Sequence, residues 1–380
     1  MLFSARRLLV PALTVSLLSG STVADDATSR AVTALEALQE WYNNSTGLWN
    51  TVGWWNGANC LTVIADLAAL DPTVMDTADY VFNTTYNVAP VSNPDPGPEV
   101  KTTKREFLAP RASSAGNASD WLDSAYDDDG WWVLAWIAAY DVTEETRYLQ
   151  LAEGIFEALT KAWGTRCGGG GLPWNPTSTY VNSITNELFL SAAAHLANRV
   201  PSRKSYYVDW AQKEWNWFAA QGFIGENGTI NDGLLDNCEN NGATVWSYNQ
   251  GVVLGGLVEL NKAAPNSSYL ESANKIAKAA IETLVGSDGV LHEFCEPDDC
   301  EPDATQFKGI FIRNLLMLQS VSPHDSYKKV ITNSANSIWE NDRSDQNRLG
   351  VVWSGPVVST VDPSTHCSAM DALVAAIAVK

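Results

Sequence analysis

The stretch WWVLAWIAAYDV, residues 131–142, carries one charge and is apolar on nearly every side of the helix that its spacing predicts. A helix of this kind belongs in the interior of a protein. Five further stretches share its low charge and its many small residues. They are CLTVIADLAAL (60–70), NELFLSAAAHLA (186–197), NQGVVLGGLVEL (249–260), QFKGIFIRNLLML (306–318) and CSAMDALVAAIAV (367–379). The sequence therefore predicts six interior helices, which recur about every 60 residues.

Amphipathic segments with charges on one face alternate with these interior helices. They are SRAVTALEALQEWYNN (29–44), TADYVFNTTYN (77–87), RYLQLAEGIFEALTKAW (147–163), SYYVDWAQKEWNWFAAQ (205–221), YLESANKIAKAAIETLV (269–285) and SYKKVITNSANSIWEN (326–341). Six inner helices covered by six outer ones predict an all-α fold, the (α/α)₆ toroid, in which the inner ring buries its own flanks. We expect one catalytic domain over residues 25–380. An open solenoid of helical hairpins is the alternative.

The two ends of the chain carry targeting information. Residues 1–24 place two arginines before an apolar run and end in small residues, which is the layout of a secretory signal peptide. The C-terminal DALVAAIAVK (371–380) is short and lacks a polar spacer, so it resembles a packed helix more than a removable lipid-anchor signal. We therefore expect a secreted protein, either free outside the cell or associated with a cell wall.

Cysteines and glycosylation sequons agree with that compartment. Six cysteines in a secreted chain predict disulfides, although buried free thiols are the alternative, and only Cys295 with Cys300 is close enough to pair from sequence. The N-x-[ST] sequons begin at Asn43, Asn44, Asn83, Asn117, Asn227 and Asn266. The sequence thus predicts a disulfide-bonded glycoprotein.

The charge of the chain limits its partners. A formal net charge of -20 and a pI near 4.5 argue against nucleic acid and anionic membrane surfaces, which this protein would repel. Beyond the leader, no run of apolar residues is long enough for a transmembrane segment. Neutral polymers remain as partners, and we expect a monomer.

Polar or aromatic residues begin every interior helix. These lead-ins are WWNGAN (54–59), AYDDDG (125–130), VNSITN (181–186), WSYNQG (246–251), DATQF (303–307) and STHCSAMD (364–371). If the inner helices run parallel, the lead-ins meet at one end of the barrel, which we call the mouth. Helix N-termini favour negative charge there. The chemistry is therefore expected at the mouth.

Three consecutive aspartates, Asp127, Asp128 and Asp129, lie in one lead-in. Helix capping needs only one acid, so three exceed what structure alone requires. In a nonhelical turn, two neighbouring carboxylates can lie within the roughly 5 to 5.5 Å that retaining glycosidases use. Ionisation of one then raises the pKa of the other, which supplies a nucleophile and an acid. The four histidines lack the spacing of metal ligands, and the acidic loop 293–303 lacks the spacing of an EF-hand.

Several blocks together resemble glycoside hydrolase family 76, the fungal and bacterial α-1,6-mannanases. The blocks are YDDDGWWVLAWIAAYDVT (126–143), GGGLPWN (169–175), SITNELFL (183–190), WSYNQGVVLGGLVEL (246–260) and CEPDDCEPDATQFKGIFIRNL (295–315). The resemblance implies an (α/α)₆ barrel and hydrolysis of α-1,6-linked mannan with retention. It further implies Asp127 as nucleophile and Asp128 as acid/base. Asp129 and Ser247 stand where the family often has Glu and Thr.

The hypothesis from sequence is a secreted, endo-acting α-1,6-mannosidase without metal or organic cofactor, whose partner is α-1,6-mannan or a mannoprotein glycan. Candidates for the substrate groove come from the lead-ins and the GGGLPWN block: Trp55, Asn59, Trp132, Trp174, Asn186, Tyr248, Asn249 and Gln250. Fungal members of the family are also linked to transfer of mannoprotein glycans in wall assembly, so a transglycosylase is one alternative. A non-catalytic mannan-binding wall protein is the other.

Overall fold

The computed structural model describes residues 22–95, 116–297, 300, 302–358 and 361–379. Over these ranges the chain forms twelve α-helices: α1 (Thr22–Gln39), α2 (Trp54–Leu70), α3 (Met75–Val88), α4 (Tyr126–Thr143), α5 (Thr146–Thr160), α6 (Ser183–Arg199), α7 (Lys204–Ala220), α8 (Ser247–Ala263), α9 (Ser267–Leu284), α10 (Phe307–Val321), α11 (Asp325–Asn341) and α12 (Pro363–Ala378). Most of the proposed signal peptide, residues 1–21, lies outside the described residues.

The even-numbered helices form a closed inner ring. Each of α2, α4, α6, α8 and α10 packs on the next even-numbered helix, and α12 packs back on α2. The odd-numbered helices cover the outside of this ring. The predicted (α/α)₆ toroid is thereby confirmed, and the open solenoid is wrong because the last inner helix contacts the first. The C-terminal segment is the packed helix that its composition predicts, since residues 371–375 are buried within α12.

Glycines let neighbouring inner helices approach closely. A Cβ atom on Gly251 of α8 would lie 2.6 Å from the Phe311 Cα of α10, and a Cβ on Gly309 would lie 2.5 Å from the Ser368 carbonyl oxygen of α12. Real side chains do not tolerate such contacts, so any larger residue would push the helices apart. The small residues that marked these helices in the sequence are therefore required by the packing of the ring.

Two short two-stranded sheets join loops that lie between the helices. Strands β1 (Tyr42–Asn43) and β2 (Leu48–Trp49) pair antiparallel, as do β3 (Val181–Asn182) and β4 (Gly233–Leu234). A single antiparallel β-bridge follows each of the outer helices α7, α9 and α11. The bridges pair Ile224 with Ile230, Val285 with Leu291, and Arg343 with Leu349. The second residue of each bridge is fully buried. This repeat was not recognised in the sequence.

All six cysteines form disulfides. Cys295 bonds to Cys300 as predicted, whereas Cys167 with Cys238 and Cys60 with Cys367 are pairings that the sequence left open. The alternative of buried free thiols is wrong. Because Cys60 lies on α2 and Cys367 on α12, the third disulfide joins the first and last inner helices. No helix in the described ranges is long and apolar enough to cross a membrane.

Candidate active site

The first turns of the inner helices meet at one end of the ring, as the lead-ins predict. Asn56 of α2 donates from Nδ2 to Gln306 Oε1 (2.8 Å), next to α10, and to Ser364 Oγ (3.1 Å) of α12. The Trp55 ring stacks on Trp131 of α4, with centroids 5.7 Å apart. The inner helices therefore run parallel, with their N-termini at the mouth.

An aromatic surface extends across this mouth. Phe307 of α10 lies 6.2 Å from Trp55 between ring centroids and stacks on Tyr248 of α8 at 3.7 Å. Trp55 also donates from Nε1 to Asp303 Oδ1 (3.1 Å), a carboxylate exposed at the rim. Rings from four inner helices thus line one face, and a carboxylate anchors one of them.

The three aspartates lie in the first turn of α4, whose N-cap is Ala125. Asp129 is buried and accepts the Asp123 N–H at Oδ1 (2.8 Å), while Asp123 in turn accepts the Ala125 N–H (2.8 Å). Asp129 therefore holds the chain that leads into the helix. Asp127 and Asp128 are only half-buried and remain open for chemistry.

The backbone conformation of this pair differs from the one predicted from the sequence. Asp127 and Asp128 lie in a helical turn, not in the nonhelical turn that we expected to bring them together. Successive side chains on a helix diverge and do not face each other. The two carboxyls nevertheless interact electrostatically, because the charge of Asp127 contributes to the raised pKa of Asp128. Two acids at different angles can address two different atoms of one bound substrate.

The pKa values of both carboxyls of the pair are raised. Burial raises the pKa of Asp127 to about 7, and the carboxylates of Asp303 and Asp123 add to the shift. A backbone N–H opposes it, because Asp128 N donates to Asp127 Oδ1 (3.3 Å). Burial, and then the charge of Asp127, hold the pKa of Asp128 well above its ordinary value. The hydrogen bond from Asp128 N favours the ionised form of Asp127, and an ionised Asp127 in turn favours a proton on Asp128.

Further carboxyls surround Tyr248. Burial raises the pKa of its phenol well above the ordinary value, and the charges of Asp232, Asp127 and Glu187 add to the shift. Glu187 of α6 is fully buried, and its two carboxylate oxygens have no hydrogen-bond partner among the described residues. Sequence reasoning missed Glu187, Asp303 and Phe307, although all three lie in or directly after the quoted lead-ins.

Three of the predicted groove residues offer accessible surface at the mouth. Trp55 and Tyr248 are half-buried, and Trp174 is 42% exposed. The backbone places Trp174 beside the aspartates, since its carbonyl accepts the N–H of Tyr126 (3.0 Å) at the start of α4. The structure therefore brings these three side chains and the Asp127–Asp128 pair to one opening.

Two predicted groove residues are instead buried amides that hold loop backbone. Asn186 accepts the Leu172 N–H at Oδ1 (2.8 Å) and donates to the Leu172 carbonyl (3.0 Å). Gln250 binds the N–H and carbonyl of Ile230 in the same way, at 2.8 Å each. Neither side chain has exposed surface. We correct the groove accordingly, since both residues position loops of the mouth and do not face it.

The remaining three predicted residues are also buried. Trp132 has no exposed surface and lies 4.8 Å from Trp54 and 4.7 Å from Trp121 between ring centroids, so it is a core residue. Asn59 donates to the Trp55 carbonyl (3.2 Å) and accepts from Arg313. Asn249 is fully buried, and its amide has no hydrogen-bond partner within the described ranges. We exclude Trp132 from the groove because a ring without exposed surface cannot stack on a sugar.

Comparison with known proteins gives the relationships of the chain. The profile of glycosyl hydrolase family 76 matches residues 26–380. Mannan endo-1,6-alpha-mannosidase DFG5 of Candida albicans is 30% identical over 227 residues, which cover 55% of this chain and 50% of that protein. Mannan endo-1,6-alpha-mannosidase DCW1 of Saccharomyces cerevisiae is 28% identical over 246 residues, which cover 58% of this chain and 54% of that protein. The chain thus spans about half the length of the curated relatives it matches.

A solved structure supports the fold independently. The GH76A alpha-1,6-mannanase of Salegentibacter sp. HEL1_6 superposes with a TM-score of 0.75 at 20% identity, over 93% of this chain and 100% of that one. This likeness concerns the fold alone. Because the family profile extends over almost the entire chain, including every inner helix and the Asp127–Asp128 pair, the protein belongs to glycosyl hydrolase family 76.

Proposed function

We propose that this protein is a secreted glycoside hydrolase that cleaves α-1,6-mannosidic bonds within mannan chains and retains the anomeric configuration. The observation that carries the proposal is the pair Asp127 and Asp128, half-buried at the mouth with raised pKa values. Family membership and the names of the relatives agree with it. The Salegentibacter mannanase is inactive as a variant in which two consecutive aspartates are replaced by asparagine.

In the first step, Asp127 attacks the anomeric carbon of the bound mannose while Asp128 gives its proton to the leaving oxygen. The surroundings of the two carboxyls support these roles. Asp127 accepts backbone N–H groups that stabilise its ionised form, whereas Asp128 is driven towards the protonated form by its ionised neighbour. A covalent mannosyl-Asp127 ester results, and the shortened chain leaves.

In the second step, Asp128 takes a proton from water, and the resulting hydroxide attacks the same anomeric carbon. The ester bond to Asp127 breaks and the carboxylate returns. Two displacements at one carbon restore the α configuration. The mechanism uses the carboxyls of this chain alone and assigns no step to a metal or an organic cofactor.

The aromatic surface supplies binding without charge. Trp55, Trp174 and Tyr248 expose ring surface at the mouth, where the flat apolar face of a mannose unit can stack. A neutral polymer also suits a protein whose net charge is -20. An opening with several exposed rings beside the proposed catalytic pair suits attack within a chain, so we propose endo-acting cleavage by a monomer.

Secretion is part of the proposal. All six cysteines form disulfides, which persist in oxidising compartments. The asparagines of five sequons, Asn44, Asn83, Asn117, Asn227 and Asn266, are exposed. Both features agree with a leader over residues 1–24 and an extracellular, wall-associated site of action.

The test follows the first product of α-1,6-mannan hydrolysis by proton NMR. We expect the α anomer before mutarotation, and we expect a mannoside that forms a slowly hydrolysed ester to label Asp127 in peptide mass spectrometry. Appearance of the β anomer first would overturn retention. If the protein binds immobilised mannan without cleaving it, it is a binding protein. If an added acceptor glycan yields lengthened products, the protein is a transglycosylase.

A further inference from the structure

A groove on the outer wall of the barrel shares no lining residue with the groups of the proposed reaction. It encloses about 470 Å³ between α1, the β1–β2 hairpin and α3. Its lining residues are Gln39, Tyr42, Asn44, Asp76, Thr77 and Tyr80. Aromatic rings together with amide, carboxyl and hydroxyl groups are the chemistry that holds a sugar, because rings cover its apolar face while polar groups bind its hydroxyls.

The groove contains an open aromatic ring held in place from behind. Tyr80 is 50% exposed, and Tyr42 contacts it edge to face with centroids 6.3 Å apart. Tyr42 is itself fixed, since its hydroxyl bonds to Thr85 Oγ1 (2.9 Å) and donates to the Val81 carbonyl (3.3 Å). The outer face of Tyr80 is therefore a preformed surface on which a sugar ring can stack.

Two overlapping sequons lie at this groove, Asn43-Asn44-Ser45 and Asn44-Ser45-Thr46. The side chain of Asn43 is engaged on both sides: Oδ1 accepts from the N–H (3.0 Å) and hydroxyl (2.6 Å) of Ser45, and Nδ2 donates to Asn50 Oδ1 (3.0 Å). Asn44 is exposed and lines the groove. A glycan on Asn43 would crowd the bond from Nδ2 to Asn50, whereas a glycan on Asn44 would begin inside the groove.

We propose that Asn44, and not Asn43, carries an N-linked glycan whose first sugar lies in this groove on the ring of Tyr80. This site goes beyond the proposed hydrolase activity and requires only the secretory route. In the modification, Asn44 Nδ2 loses a proton and bonds to the anomeric carbon of an oligosaccharide. The bond from that carbon to a lipid pyrophosphate donor breaks, and the pyrophosphate leaves with the electron pair.

Two single substitutions separate the sequons. Ser45→Ala removes the Asn43 sequon and keeps that of Asn44, whereas Thr46→Ala removes the Asn44 sequon and keeps that of Asn43. The full chain, secreted from a eukaryotic host, is digested and its glycopeptides are analysed by mass spectrometry after enzymatic release in ¹⁸O water. We expect the label on Asn44 in the wild type and in Ser45→Ala, and none on this peptide in Thr46→Ala. An unlabelled Asn44, or loss of the label in Ser45→Ala with retention in Thr46→Ala, would overturn the site.

The packing on Tyr80 has its own test, with Tyr80→Phe as the matched control for Tyr80→Ala. The Tm of each variant is measured before and after enzymatic removal of all N-glycans. The other sequons affect both variants equally, so we expect deglycosylation to lower the Tm of Tyr80→Phe by about 1 to 2 °C more than that of Tyr80→Ala. Equal shifts would overturn the contact with the ring. Binding of added mannotetraose in the groove of a protein unmodified at Asn44 would also refute the proposal.

Discussion

The two ends of the barrel hold carboxylates in opposite surroundings. At the mouth, the charges of Asp123 and Asp303 raise the pKa of Asp127 and Asp128 beyond the effect of burial. At the other end, where the inner helices terminate, Asp141 and Glu259 both bind Arg199, with N–O distances of 2.6 and 2.8 Å. Burial opposes the ionisation of Glu259, yet His195 and Arg199 lower its pKa to about 2.

The difference shows how one fold separates stability from chemistry. Arg199 stands in the last turn of α6, where a cation is favoured by the helix dipole and compensates both acids. The acids at the mouth lie at a helix N-terminus and interact with further acids, so one proton is retained between them. The Arg199 cluster holds the ends of the inner helices together, whereas the two aspartates at the mouth have raised pKa values and can exchange protons.

The largest expected effect is the loss of turnover in Asp127→Asn. The proposed nucleophile disappears while the packing remains, so we expect kcat/KM on mannan to fall at least ~10³-fold, or about 4 kcal/mol. Asp129→Asn is the matched control, because its amide oxygen can still accept the Asp123 N–H, and we expect it to lose less than about tenfold. Steady-state kinetics on α-1,6-mannan gives both values. Comparable losses in the two variants would show that Asp127, like Asp129, maintains the structure of the mouth and does not act as a nucleophile.

Arg199→Met should affect the opposite end without affecting the chemistry. It leaves Glu259 buried beside Asp141 without their shared cation, so we expect a loss of about 3 kcal/mol in the free energy of unfolding at pH 7. Because the depressed pKa of Glu259 contributes stability above its unfolded value, the deficit should shrink as the pH falls below about 4.5. Urea unfolding at several pH values measures this. A loss of kcat larger than about tenfold in the folded variant would contradict the separation of the ends.

Asp128→Asn distinguishes the two acids of the mouth from each other. Only a poor leaving group needs a proton, so we expect at least ~10²-fold less damage with an activated aryl mannoside than with mannan. The comparison uses the rate of the first step, measured as a burst of aryl alcohol, because the second step also needs Asp128 as a base. Equal losses on both substrates would count against its role as acid.

Asp303→Asn should produce the smallest change, a shift of the pH profile. The carboxylate of Asp303 raises the pKa of Asp127 and of Asp128, so its removal lowers both pKa values. Both limbs of the profile of kcat/KM should therefore move to lower pH by about half a unit, equivalent to about 0.7 kcal/mol. The amide oxygen still accepts the Trp55 N–H, which keeps the ring in place. An unshifted profile with reduced kcat would instead indicate direct contact with substrate.

Sequence patterns predicted the fold well because the interior helices are marked by their lack of charge, a property that each helix carries locally. The site was harder to predict at the level of single side chains. Trp131 and Trp132 are neighbours, but one helical step places the first against Trp55 at the mouth and the second in the core. Asn186 and Gln250 were predicted to line the groove because the sequence does not reveal their partners. These partners are Leu172 and Ile230, which lie 14 and 20 residues away along the chain. Such contacts depend on the closure of the ring.

The disulfide between Cys60 and Cys367 spans 307 residues and makes most of the chain a covalent circle. A protease that cuts any single loop within this circle produces two fragments that stay bonded to each other. A nicked enzyme would therefore migrate with its full mass until a reductant is added, and one cut in a rim loop would open the polypeptide without detaching an inner helix. Under the proposed secretion, ring closure thus confers tolerance to cleavage as well as shape.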